Sequence, residues 1–272
     1  MIEAILALLL GLIIGSFLNV CIHRWPRGRS VIKPRSHCVR CRKTIAWYDN
    51  IPLVSYALLG GKCRHCGRHI SARYPAVEAI TGLLFFFFVW TIGPTAAAIK
   101  MCVFGAILVA LIFCDLEKRL LPDELTLGGI LIGFAFSIFV EVPNAYAGAL
   151  ISMFIGVSGR GQWIVESACG ALLPALFLWG GGWIYEKVRH REGLGFGDVK
   201  LVAMVGSFLG LQNALLALIL GSVAGSILGF GYIKATGKDA STYQLPFGTF
   251  LGVAALATSL AGPKILGWYS GL

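Results

Sequence analysis

A chain of 272 residues that is 57% hydrophobic and only 13% charged carries more apolar surface than a soluble domain of this length needs. Apolar runs of about 20 residues read as membrane helices, so the expected fold class is an all-α polytopic membrane protein. The net charge of +10 invites a nucleic-acid reading, but twelve of the 23 Lys and Arg lie between Arg24 and Arg73 with one acid, Asp49, among them. A basic loop between two spans is the mark of a cytoplasmic loop. Attraction to anionic membrane lipid is compatible with it, and no nucleic-acid partner is expected.

Taken in chain order, the pattern predicts about eight transmembrane helices, near 2–22, 74–92, 96–114, 124–141, 164–186, 199–211, 213–234 and 246–268. The first run, Ala4 to Cys21, has no basic segment ahead of it (Glu3 is acidic) and no small-residue cleavage site after it, so it reads as a retained anchor rather than a signal peptide. The sixth run is short and is predicted to be tilted or broken by Gly206 and Gly210. Ala145 to Val157 is apolar but too short to span, which suggests a re-entrant or interfacial piece. Three segments follow: a first helix over 1–22, a cytoplasmic module over 23–73, and a seven-helix core over 74–272.

Charge then orients the chain. With the N-terminus outside, the inner loops hold or adjoin Lys118 and Arg119; Lys187, Arg189, Arg191 and Lys200; and Lys234 and Lys238. The outer segments offer only Arg160, Lys100 and Lys264, the last two placed to snorkel. The bias recurs across the inner loops, and it puts Asp115 and Asp198 at one face, the cytoplasmic one.

Cys38-Val39-Arg40-Cys41 is followed, after the 21 residues 42–62, by Cys63-Arg64-His65-Cys66. Each C-x-x-C pair can hold one side of a metal ion, and two pairs complete a tetrahedral site. In a reducing cytoplasm disulfides are disfavoured. Four thiolates leave no open position, so the reading is structural zinc bound by Cys38, Cys41, Cys63 and Cys66, with redox chemistry as the rival. A module this small gains folding energy from its metal. His37 and His65 read as solvated loop histidines, and Cys21, Cys102, Cys114 and Cys169 as small buried hydrophobes.

Two carboxylates remain. Asp123 follows Pro122 and opens an apolar run, as a helix N-cap does. Asp115 sits at the inner end of the third span and is the more apt of the two for chemistry. Gly193-Leu194-Gly195-Phe196-Gly197-Asp198-Val199-Lys200 places three alternating glycines before an acid at the mouth of another span. An acid there is costly and marks function by default; a simple N-cap is the plainer explanation. The spacing lacks the G-x-G-x-x-G of a dinucleotide loop. Alternating glycines permit angles and close approaches that other residues forbid, leaving room for an extended peptide. Two acids at one membrane face suit hydrolysis of a peptide, one activating water and the other polarising the carbonyl. A transporter with intramembrane acids and a zinc-dependent scaffold are the alternatives.

The residues resemble the bacterial type IV prepilin peptidases, the prepilin leader peptidase/N-methyltransferases, which are intramembrane aspartic proteases of the G-x-G-D type. The resemblance runs nearly end to end. It covers Gly11-Leu12-Ile13-Ile14-Gly15-Ser16-Phe17-Leu18-Asn19-Val20 with Arg24 and Pro26, and the double C-x-x-C loop. It continues through Arg73-Tyr74-Pro75-Ala76-Val77-Glu78 with Thr81-Gly82, and Asp115-Leu116 with Leu121-Pro122-Asp123 and Leu125-Thr126. Gly195-Phe196-Gly197-Asp198 with Lys200, and Pro246-Phe247-Gly248, complete the set.

The resemblance implies catalytic aspartates at Asp115 and Asp198, with Gly195, Gly197, Asp123, Lys200 and Glu78 in support. It implies zinc on the four cysteines and a bacterial inner-membrane location. It implies removal of a short basic leader from prepilins and pseudopilins, then methylation of the new N-terminal amine from S-adenosylmethionine. No nucleotide-binding signature is visible. Shorter members of that family, which lack the cysteine loop, are peptidases only, so the resemblance implies that the 23–73 loop with Glu78 is the methylation apparatus; a peptidase without methyltransferase activity is the alternative. Glu78 otherwise reads as a buried acid paired with Arg73. The segment from Glu141 to Trp163 is longer than the resemblance leads one to expect.

Overall fold

The structure, a computed structural model, describes residues 1–142, 145–156, 158–190, 195–237 and 245–270. Gly193, Leu194, Arg191, Lys238 and Val157, all used above, lie outside them. Among the described residues the regular structure is helical, apart from two isolated β-bridges. Five helices are long and apolar enough to cross a membrane, and others are shorter. The chain divides into two compact units, Met1–Ala110 and Leu111–Leu272.

In the first unit, α1 (Ile2–Arg24) packs on α3 (Arg73–Ile92). The two approach closely because α1 presents Gly11 and Gly15 to α3. A Cβ on Gly11 would lie 2.8 Å from the Gly82 Cα, and one on Gly15 would lie 2.7 Å from the Glu78 Cα. Small residues four apart are how membrane helices bring backbones together. Asn19 fixes the register by donating to the Tyr74 carbonyl at 3.0 Å. At the end of α1, the buried Arg24 guanidinium donates to the carbonyls of Ser30 and Pro34 and so gathers the start of the loop. The short α2 (Val54–Leu58) lies within this loop.

The helix α4 (Ala96–Lys118) runs across the division between the units. The second unit holds its end together with α5 (Asp123–Ser137), α6 (Tyr146–Ile155), α7 (Arg160–Arg189), α8 (Phe196–Thr236) and α9 (Phe247–Ser270). Helix α8 is its centre, packing on α5, α7 and α9. The expected sixth and seventh spans are its two halves, because the backbone leaves helical geometry at Gly210 (φ 79°, ψ 177°). Of the two glycines named as breakers, Gly210 breaks the helix. Gly206 stays helical and serves contact instead: a Cβ there would overlap the Gly170 carbonyl of α7. Helix α6 has ten residues, about 15 Å, half of a bilayer core.

Candidate active site and metal centre

Asp115 lies in the last turn of α4 and is 5% exposed. Its Oδ2 accepts two hydrogen bonds from Thr249, from the backbone N–H at 2.6 Å and the hydroxyl at 2.8 Å. Thr249 stands in the first turn of α9, where backbone N–H groups lack helical partners and the helix dipole favours an anion. Asp115 therefore ties the end of one helix to the start of another. Thr249 was not singled out from the sequence.

Asp198 is half-buried in the first turn of α8. Its N–H donates to the Gly195 carbonyl at 3.0 Å. It lies 83 positions from Asp115 in sequence (198 − 115), yet one side chain links the surroundings of the two. Leu121 bridges the same region. Its side chain would lie 3.3 Å from a Cβ on Gly197 and 3.1 Å from one on Gly248, and that second Cβ would be 3.2 Å from Asp115 Oδ2. Leu121 thus separates the glycine beside one acid from the glycine against the other.

Of the two properties expected of these glycines, unusual backbone angles and close approach, Gly195 does not use the first. Gly195 adopts φ −70° and ψ 136°, angles open to any residue. A Cβ there would stand 3.4 Å from Asp198 Oδ2, an ordinary contact.

The remaining acids fall into place separately. Asp123 is not the N-cap of α5; Pro122 occupies that position, and Asp123 is the first helical residue. Its carboxylate instead pairs with the Lys200 ammonium, joining the starts of α5 and α8. Lys200 also lies over the Phe196 ring, 5.2 Å from its centre. In the first unit, Glu78 Oε2 accepts from the Leu53 N–H at 2.9 Å rather than serving only a neighbouring arginine. Leu53 has φ 60°, a conformation costly for a side chain, so Glu78 clips a strained point of the loop to α3.

The four cysteines form one cluster. The Sγ atoms of Cys38, Cys41, Cys63 and Cys66 all lie within 4.8 Å of one another, and Cys38 and Cys66 are 3.9 Å apart. Four bonds of about 2.3 Å to a tetrahedral ion would space the sulfurs by about 3.8 Å, so the cluster fits a metal.

The backbone is built for this twice over. Cys38 N–H donates to the Lys43 carbonyl, and Cys63 N–H to the Arg68 carbonyl. Each carbonyl of Cys38 and Cys63 accepts from the residue four further on, Arg42 and Gly67, both with positive φ. The two knuckles are thus the same turn, with arginine doing at a cost what glycine does freely. Burial works upward on the Cys38 thiol, but hydrogen bonds from the N–H groups of Cys41 and Arg40 and from the Cys41 and Cys63 thiols together outweigh it, lowering its pKa to about 7. Arg64, inside the second knuckle, forks onto Asp49 with contacts of 2.8 and 2.6 Å.

Residues 9–92 match the bacterial peptidase A24 N-terminal domain, and residues 102–230 match the type IV leader peptidase family. The prepilin leader peptidase/N-methyltransferase of Aeromonas salmonicida is 35% identical, over 97% of this chain and 92% of that protein. That of Pseudomonas aeruginosa is 33% identical, over 96% and 91%. That of Myxococcus xanthus is 40% identical, over 86% of this chain and 64% of that protein. No solved structure matches. The fold defines the class as an all-helical polytopic membrane protein with a four-cysteine cluster compatible with a metal ion. The chain belongs to the type IV leader peptidase family.

Proposed function

We propose that the protein is a prepilin leader peptidase/N-methyltransferase of a bacterial inner membrane. It removes the short basic leader of type IV prepilins and pseudopilins at the cytoplasmic face, then methylates the new N-terminal amine. The names of the relatives over nearly the full chain support both activities. The observation that carries the peptidase half is Leu121, which lies against Gly197, next to Asp198 at the start of α8, and against Gly248, which faces Asp115 at the end of α4, where Thr249 holds that acid.

Asp115 and Asp198 are the catalytic pair, sharing one proton between them. The ionised carboxylate takes a proton from water as it attacks the scissile carbonyl. The protonated carboxyl donates to the carbonyl oxygen, and the proton taken from water goes to the leaving amine as the bond breaks. Asp115 Oδ2 is occupied by Thr249, so Oδ1 is the oxygen that meets water or substrate. Gly195 leaves the Asp198 carboxylate without a side chain against it, and Gly197 makes room for Leu121. The Asp123–Lys200 pair supports this centre by joining the helix starts.

The thiolate site takes zinc, and its closed four-sulfur shell makes it structural. S-adenosylmethionine is the methyl donor, with no residues assigned to it. The 23–73 loop, clipped to α3 through Glu78, is the methylation apparatus. The basic loops support a topology with N-terminus outside and the zinc module inside, where its charge meets anionic lipid.

The test is leader removal from a prepilin by purified protein, beside Asp115→Asn and Asp198→Asn. Each variant should insert and fold normally yet lose cleavage by at least about a thousandfold. Cleavage retained by either one removes the two-aspartate mechanism. Transfer of a labelled methyl group from S-adenosylmethionine to the cleaved product tests the second activity.

A further inference from the structure

In an unbroken α8 the Leu211 N–H would donate to the Ser207 carbonyl, four residues back. The break at Gly210 removes that bond, and two adjacent residues of α7 take over its two ends. Leu211 N–H donates to Glu166 Oε1 at 2.8 Å. The Ser167 hydroxyl donates to the Ser207 carbonyl at 2.7 Å. The second oxygen of Glu166, Oε2, accepts from the Gly148 N–H in the first turn of α6, also at 2.8 Å. Glu166 is 1% exposed, within a span-length helix. A buried acid is costly there unless compensated. The compensation comes from two helix starts, α6 and the second half of α8, each carrying about half a positive charge. Together they balance about one carboxylate.

We propose that Glu166 is a positioning residue for the leader-cleaving reaction. With Ser167 it holds the break in α8 in one geometry, and so fixes the half-helix whose first turn carries Asp198. The inference rests on the peptidase reading above. Asp198 lies 12 residues from the break (210 − 198), about 18 Å along the helix. A swing of about 5° at Gly210 moves it by about 1.5 Å, and a misplacement of about 1 Å can cost about a hundredfold in rate. Two features of the hinge make it depend on this acid. A Cβ at Gly210 would stand 3.0 Å from Glu166 Cγ, so the carboxylate stem is seated directly on the break. Helices α7 and α8 also touch backbone to backbone at Gly170 and Gly206, so a change at the brace passes into the half-helix rather than into yielding side chains.

The experiment uses the full-length purified protein and Glu166→Gln. The amide keeps one accepting oxygen but turns an NH2 toward the other N–H, so one of the two contacts is lost. For prepilin cleavage, kcat should fall by about 10- to 100-fold with KM within about twofold. Hydrogen exchange should quicken at Leu211 or Gly148, whichever loses its acceptor, and along 199–209. Glu166→Ala should show both effects more strongly. Wild-type kcat in folded Glu166→Gln, with only a lower Tm, would overturn the proposal; so would failure of Glu166→Gln to fold at all, which would make the residue a folding element. Should the wild-type protein not cleave prepilins, the peptidase reading fails instead. The exchange data then judge the brace alone, and unchanged exchange at both amides sinks it.

Discussion

Thr249 gives two hydrogen bonds to a single oxygen of Asp115, one from its backbone and one from its hydroxyl. The backbone bond survives any substitution; the hydroxyl bond does not. Thr249→Val keeps the shape and loses one charge-assisted bond worth about 1.5–3 kcal/mol in general. The expected result is a fall in kcat for leader cleavage of about 10-fold or more, with Thr249→Ser close to wild type. Equal activity in all three proteins would show that the hydroxyl does not hold Asp115 for chemistry.

Gly248 and Gly197 both face Leu121, but only Gly248 also faces Asp115. An alanine at 197 meets only the Leu121 side chain, at 3.3 Å from its Cβ and 3.4 Å from its Cδ1. One at 248 presses on a carboxylate pinned by Thr249. Gly248→Ala should therefore lower kcat by about 5-fold or more, while Gly197→Ala should change it by less than about threefold. Steady-state cleavage by both variants, with melting temperatures to exclude unfolding, decides the comparison.

The cysteine cluster should bind one metal ion per chain, and metal analysis of purified protein should find zinc. Cys63→Ser, or removal of metal by a chelator, should deprotect the amides of residues 36–70, because a module of this size has little core of its own. Unchanged exchange after metal removal would mean that the knuckles are held by backbone hydrogen bonds alone.

Arg64 holds the Asp49 carboxyl below the usual carboxylate range, through hydrogen bonds first and charge second. The sign follows from that direction. The folded carboxyl gives up its proton more readily than the unfolded one, so the pair's contribution is fully present above about pH 4, the ordinary aspartate value. It is lost as pH falls through the lower folded value. Protection factors at residues 47–50, taken against the intrinsic rate at each pH, should fall in the wild type on acidification, and should already be low at pH 7 in Arg64→Ala. Identical profiles for the two proteins would remove the pair from the account.

Some of this was legible in the chain itself, for identifiable reasons. Cysteines in two close pairs mark a candidate metal site, and the structure adds that the pairs meet in one cluster and share one turn geometry. Glycine at 210 was visible as a breaker, but so was Gly206; what separates them is the α7 backbone lying against one and the Glu166 carboxylate against the other, a tertiary fact. Asp123 read as a cap because Pro122 and an apolar run flank it. Its partner, Lys200, lies 77 residues away, beyond any local pattern. Thr249 gave no signal: a threonine two residues past Pro246-Phe247 looks like any helix start, and its partner is 134 residues distant. Glu166 did carry a signal, since an acid inside a span is a functional candidate by default. It lacked a neighbouring motif to draw attention.

At Gly170 and Gly206 nothing but main chain lies between two long helices. A Cβ on Gly206 would overlap the Gly170 carbonyl, and one on Gly170 would stand 2.6 Å from the Gly206 oxygen. Neither codon can drift by itself, because each pins the other to the smallest residue in the genetic alphabet. The crossing spends all of its evolutionary freedom on proximity, and a lineage that lost either glycine would have to rebuild the contact from both sides at once.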